Sequence, residues 1–114
     1  MVIKKLKILG TTYSIMEKSE KEDTRLTERG GYTDVSVKEI VVAIVEADED
    51  SIKDLSQYRA QVLRHEIIHA FLFESGLWWS SHGVSSWGTD EEITDWIALQ
   101  FPKLLKCFQE AGCI

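Results

Sequence analysis

Two imidazoles and a carboxylate stand together at His65-Glu66-Ile67-Ile68-His69, among Val62, Leu63, Ala70, Phe71, Leu72 and Phe73. On a helix turning about 100° per residue, positions four apart share a face and lie about 6 Å apart along the axis, so both rings can converge on one ion. A single Zn2+ is the expected guest. Neutral imidazole nitrogens suit this borderline-soft cation, and a catalytic zinc uses three protein ligands and keeps its fourth position for water. Glu66 is not expected to bind the metal. Its carboxylate stands beside the water, takes its proton during attack and passes it to the leaving group. The competing reading is two partly buried helix histidines and a solvated carboxylate. Burying three titratable groups among core-type residues is costly unless something satisfies them, which favours the metal.

The helix carrying this motif is expected to start between Ser51 and Asp54, either of which can cap it, and to run to about Glu74, where Ser75-Gly76 gives a stop signal. Leu55, Tyr58, Val62, Glu66 and His69 recur at spacings of three or four, so one stripe serves both core and metal. A third ligand has to come from elsewhere. Thr89-Asp90-Glu91-Glu92 fits a capping box, with Thr89 as N-cap and Glu92 reaching back to its amide, which leaves Glu91 free as the metal ligand. Asp95 shares a face with Glu91 and is placed to support a ligand histidine, while Ile93, Trp96, Ile97 and Phe101 supply packing. Pro102 is expected to kink or end this helix near Phe101, with a last short helix over Lys103 to Glu110.

Upstream, residues 3–16 read as a first strand broken near Gly10. Glu17 to Arg29 holds five acids and four bases with Leu26 as its only strong hydrophobe, so an exposed connection is expected. Gly30-Gly31 then suggests a tight turn, followed by strands over Tyr32 to Val37 and Glu39 to Val45, the second β-branched and covered on both faces. The acidic run Glu46 to Asp50 lacks the spaced ligands and glycine of a calcium loop and reads as a solvated turn. Residues 76–88 hold Trp78, Trp79 and Trp87 among serines and glycines, either a mobile rim over the site or a segment folded back onto the core. Tyr32, Tyr58 and His82 are the candidates for stabilising an oxyanion.

At 114 residues the chain forms one domain, 1–114, able to bury a core without disulfides but too small for a separate substrate domain. A formal charge of −6 gives no general attraction to nucleic acid phosphates. No stretch is long and apolar enough for a signal-peptide core or a membrane span, so a cytoplasmic protein is expected. Cys107 and Cys113 are the only cysteines; reduced thiols are the default, with a local disulfide or second metal site as alternatives. The expected architecture is α+β: a small twisted sheet from residues 3–45 packed against the motif helix and the glutamate-bearing helix.

With HExxH at 65–69 and E-x-x-x-D at 91–95, the chain resembles the gluzincin class of zinc metallopeptidases, most closely its small ImmA/IrrE-like and phage-associated members. The metzincin pattern does not apply, because Leu72 and Ser75 stand where it has a glycine and a third histidine. The resemblance implies a minimal zincin fold, zinc on His65, His69 and Glu91, Glu66 as general base and Asp95 supporting a histidine. It also implies a protein or peptide substrate within a narrow range. An extended peptide pairing with an exposed strand edge would set its carbonyl over the metal. Two alternatives have different consequences: a zinc-stabilised binding module, a lapsed peptidase using loop 76–88, and an interaction domain without metal.

Overall fold

The computed structural model describes residues 2–44, 55–81 and 86–114. Four strands, β1 (Val2–Ile8), β2 (Thr11–Lys18), β3 (Gly31–Asp34) and β4 (Glu39–Ala43), precede helices α1 (Ser56–Glu74), α2 (Leu77–Ser80) and α3 (Glu91–Glu110). This is the expected α+β arrangement. The sheet runs β1-β2-β4-β3, with β2 and β4 parallel and the other two pairings antiparallel. The expected starts of the motif helix at Ser51 to Asp54, and the acidic run Glu46 to Asp50, lie outside the described residues.

The first strand is a hairpin rather than one broken strand. Leu9 and Gly10 both take positive φ, 47° and 89°, the conformation of a two-residue turn matched to strand twist, and Ile8 pairs with Thr11 across it. β1 and β2 contribute Ile8, Tyr13 and Ile15 to one core cluster with Ile40 of β4 and Ala70, Leu63 and Ile67 of α1. The opposite sheet face carries Val41, Ala43 and Tyr32, closed by Leu26 at 2% exposure. β4 is therefore covered on both faces, as its β-branched run predicts.

Glu17 to Arg29 is exposed over most of its length, as expected, but turns inward onto that second face at Asp23 and Leu26. Glu17 and Lys18 finish β2, and a short 3-10 turn at Thr24–Leu26 folds Leu26 into the core. Asp23 caps this turn by accepting from the Arg25 amide at 3.0 Å and receives the Tyr32 hydroxyl and the Arg25 guanidinium as well. A segment with one large hydrophobe is held down because its charges satisfy each other close to the sheet.

Gly30-Gly31 also has a different purpose from the expected tight turn. Neither residue takes a positive φ. A Cβ at Gly30 would sit 2.8 Å from Tyr58 Oη and 2.9 Å from Val62 Cγ2, and one at Gly31 would sit 2.6 Å from the Val41 carbonyl oxygen. The pair lets α1 approach β3 closely. β3 then ends at Asp34 rather than Val37, because the Asp34 carboxylate captures the Ser36 amide at 3.0 Å and turns the chain.

At its far end α1 is tied to the sheet by Glu74, which accepts from Thr11 Oγ1 at 2.8 Å, Tyr13 Oη at 2.7 Å and Lys38 Nζ at 3.0 Å. These three donors, with the Tyr13 bond foremost, hold the Glu74 carboxyl below its ordinary value. The Tyr32 hydroxyl and Arg25 pull Asp23 down to about 2. Both acids titrate lower folded than unfolded, so their stabilisation is complete above the ordinary carboxylate range, about pH 4–4.5, and disappears as pH falls toward 2. Urea midpoints measured down a pH series are expected to drop through that interval. An Asp23→Asn, Glu74→Gln double variant should start lower and show a flatter slope.

α3 departs from expectation at both ends. Its N-cap is Asp90, whose Oδ1 accepts from the Ile93 amide at 3.1 Å, while Thr89 belongs to a preceding 3-10 turn, so the Thr89/Glu92 capping box does not form. Such a cap contributes about 1 kcal/mol. The helix also passes through Pro102 to Glu110 without ending near Phe101. Proline frees the carbonyl four residues before it. Here that carbonyl, of Ala98, accepts from Arg64 Nε of α1 at 2.6 Å. Arg64 thereby joins the two helices at the point where α3 would otherwise break.

Candidate metal centre

α1 presents His65 and His69 toward the first turn of α3. Thr94 and Ala98, both fully buried and small, let the helices come together, and the Arg64 bond to Ala98 sets their relative height. Because Asp90 is the cap, Glu91 becomes the first helical residue and reaches back over α1.

The three predicted ligands converge. His65 Nε2 lies 3.0 Å from His69 Nε2 and 3.0 Å from Glu91 Oε2, and His69 Nε2 lies 2.9 Å from Glu91 Oε1. Tetrahedral bonds of about 2.0–2.1 Å place ligand atoms roughly 3.3 Å apart, within a few tenths of an ångström of this triangle. Asp95 Oδ1 stands 3.3 Å from His65 Nδ1, the ring nitrogen on the other side from the triangle, while His65 Nε2 faces a second imidazole and a carboxylate. His65, His69 and Glu91 are the residues that could hold one metal ion; no other such cluster occurs among the described residues.

Glu66 lies at the inner wall, only 7% exposed. Thr33 of β3 donates to Glu66 Oε1 at 2.9 Å and lies 2.8 Å from the Glu66 carbonyl oxygen. Burial pushes the Glu66 carboxyl up from its ordinary value, the Thr33 bond and then His69 and His65 work against that shift, and Glu91 adds to it. A carboxylate placed this way is poised to take a proton. Sequence reasoning missed Thr33, since no local pattern marks one threonine of a short strand as the partner of a helix residue 33 positions later.

Around the centre lies an open cleft of about 660 Å³, bounded by β3 on one side and α1 and α3 on the other. The oxyanion candidates separate here. Tyr32 contributes to the cleft lining, but its hydroxyl is given to Asp23 and its ring packs with Leu26 and Val41 on the sheet face away from α1. Tyr58 lines the cleft, with its hydroxyl against Gly30. His82 lies outside the described residues. Glu92 is exposed and takes no part in the centre.

The tryptophan segment is partly helical, not a plain loop. Trp78 packs at a tilt against Phe73 with ring centres 5.7 Å apart and lines the cleft, whereas Trp79 stays 68% exposed. Cys107 and Cys113 are exposed free thiols remote in sequence from the ligands. No helix among the described residues is long and apolar enough to cross a membrane.

No family model, curated protein or solved structure matches this chain.

Proposed function

We propose that this chain is a zinc-dependent metallopeptidase of the gluzincin type, hydrolysing peptide bonds through an activated water. The observation that carries the reading is the convergence of His65 Nε2, His69 Nε2 and the Glu91 carboxylate beside a buried carboxylate that takes no part in the triangle. Zinc held by these residues supplies Lewis acidity, polarising the scissile carbonyl and lowering the pKa of water to about 7. Glu66 accepts the proton of the attacking water and returns it to the leaving amine, and Thr33 keeps its carboxylate aimed. Asp95, 3.3 Å from His65 Nδ1, is the carboxylate that would support this ligand from behind.

β3 is the edge of the sheet, and the Ala43 amide donates to the Gly30 carbonyl at 2.8 Å. Ladder alternation then turns the amides and carbonyls of Gly31 and Thr33 toward the open edge. A peptide adding there as a further strand runs past Glu66 and the ligand histidines. The rival reading, a zinc-stabilised binding module, has one observation in its favour, the exposed Trp79 and Trp87. It gives no role to a desolvated Glu66, whose burial is costly in a purely structural site.

Cleavage of an unbiased peptide library followed by mass spectrometry tests the proposal. Hydrolysis is expected from zinc-reconstituted protein, lost on chelation and restored by zinc. Cleavage that survives chelation would remove the metal from the mechanism.

A further inference from the structure

The cleft is chemically different at its two ends. α1 runs alongside β3: Tyr58 and Val62 lie against Gly30, Val62 and Glu66 against Gly31, and Glu66 against Thr33. Further along α1, Phe73 lies 4.8 Å beneath Lys38 Nζ, beyond the end of β3. The order along the cleft is therefore Arg29 with Tyr58, then the metal centre, then Phe73 with Trp78.

Arg29 is exposed on the cleft wall, and its backbone is fixed. Its amide donates to Leu26 O at 3.0 Å, and the carbonyl of the next residue, Gly30, is held by Ala43. Its guanidinium makes no ion pair and no side-chain hydrogen bond among the described residues. Arg25, Lys38 and Arg59 are engaged by Asp34, Glu74 and Glu17. Arg29 is thus the cleft-lining arginine that no carboxylate engages among the described residues, and a bidentate guanidinium is suited to take one from a bound peptide. At the other end, Phe73 and Trp78 form an aromatic wall backed by Trp79, with Trp78 and Trp79 centres 5.2 Å apart. Lys38 adds no free charge there, because Glu74 holds it at 3.0 Å.

We propose that the cleft selects extended peptides with opposite chemistry at their two ends, a carboxylate at Arg29 and a bulky apolar side chain at Phe73 and Trp78, with the scissile bond between. This rests on the reading of the cleft as a peptide site. The length follows from the helix: 73 − 58 = 15 positions separate Tyr58 from Phe73. At about 1.5 Å per residue they span about 22 Å, the reach of roughly six or seven extended residues at about 3.3 Å each. The carboxylate can belong to an Asp or Glu side chain or to the peptide's own C-terminus.

Fluorescence-labelled decapeptides with Phe and Glu six residues apart, in both orders, test the proposal by anisotropy against zinc-loaded Glu66→Gln protein, which keeps the peptides uncut. Matched peptides carry Gln or Lys for Glu, Ser for Phe, and a free or amidated C-terminus. The Glu peptide, or the free-acid peptide if the terminus is the source, is expected to bind about fivefold tighter than its neutral counterpart. Adding Arg29→Glu should reverse that preference toward Lys, and adding Trp78→Ala should erase the Phe preference alone. Each variant is first matched in zinc content and melting temperature. No charge preference, a preference that survives Arg29→Glu, or no peptide binding overturns the inference. Cleavage by the wild-type protein is read separately. Arg29-dependent binding with no cleavage would sink the peptidase reading and leave the selectivity standing, whereas cleavage without charge preference would do the reverse.

Discussion

Replacing Glu66 by Gln is expected to lower peptide hydrolysis by about 10²–10⁴-fold, the range contributed by a positioned general acid–base group. Zinc stoichiometry should stay that of wild type, because Glu66 is outside the ligand triangle of His65, His69 and Glu91. The amide keeps an oxygen for the Thr33 hydroxyl, which bonds Glu66 Oε1 at 2.9 Å, so the side chain should remain in place. Stability should hold or rise, since a carboxylate only 7% exposed is exchanged for a neutral isostere. The measurements are kcat on the best library substrate, metal content and a thermal melt. A variant that cuts as fast as wild type would exclude Glu66 as the base.

The second large effect is on metal affinity. Glu91→Ala removes one corner of the triangle while leaving the fold intact, because the Glu91 side chain is 71% exposed and packs against little. Loss of groups that merely support ligands costs about 10–100-fold in metal affinity, so loss of a ligand is expected to cost at least about 100-fold. Competition with a chromogenic chelator measures it directly. The zinc-induced rise in melting temperature should shrink in parallel, by the equivalent of about 2.7 kcal/mol at saturating metal. Glu92→Ala serves as the neighbouring control and should leave zinc binding unchanged. Wild-type affinity in Glu91→Ala would remove it from the ligand set.

How much of this was legible before the fold depends on the range of the interaction. His65 and His69 share a face by helical period alone, and so do Glu91 and Asp95. Glu91 was preferred to Glu92 on the ground that Thr89 caps the helix and occupies Glu92. The structure caps with Asp90, so the same candidate residue emerges from a different start: neighbouring Thr and Asp are both competent caps, and local chemistry does not choose between them. Pro102 shows the same limit. A proline signals a break on its own, and only a donor brought from 34 positions away, Arg64, removes the reason for one. Gly30-Gly31 was legible as unusual, but its cause, the closeness of Tyr58, Val62 and the Val41 carbonyl, belongs to packing.

The sequence by itself determined the candidate ligand types, their i, i+4 spacing, the sheet-and-helix class and the acidic overall charge, all consequences of periodicity and composition. Only the tertiary structure decided that Thr33 bonds Glu66, that the Tyr32 hydroxyl is committed to Asp23, and that Arg29 and Trp78 line one cleft. The physical reason is that a helix or strand fixes geometry over a few residues, whereas a site built from β3, α1 and α3 takes its shape from how closely those elements pack. That closeness is set here by two glycines at β3 and by Thr94 and Ala98 on α3.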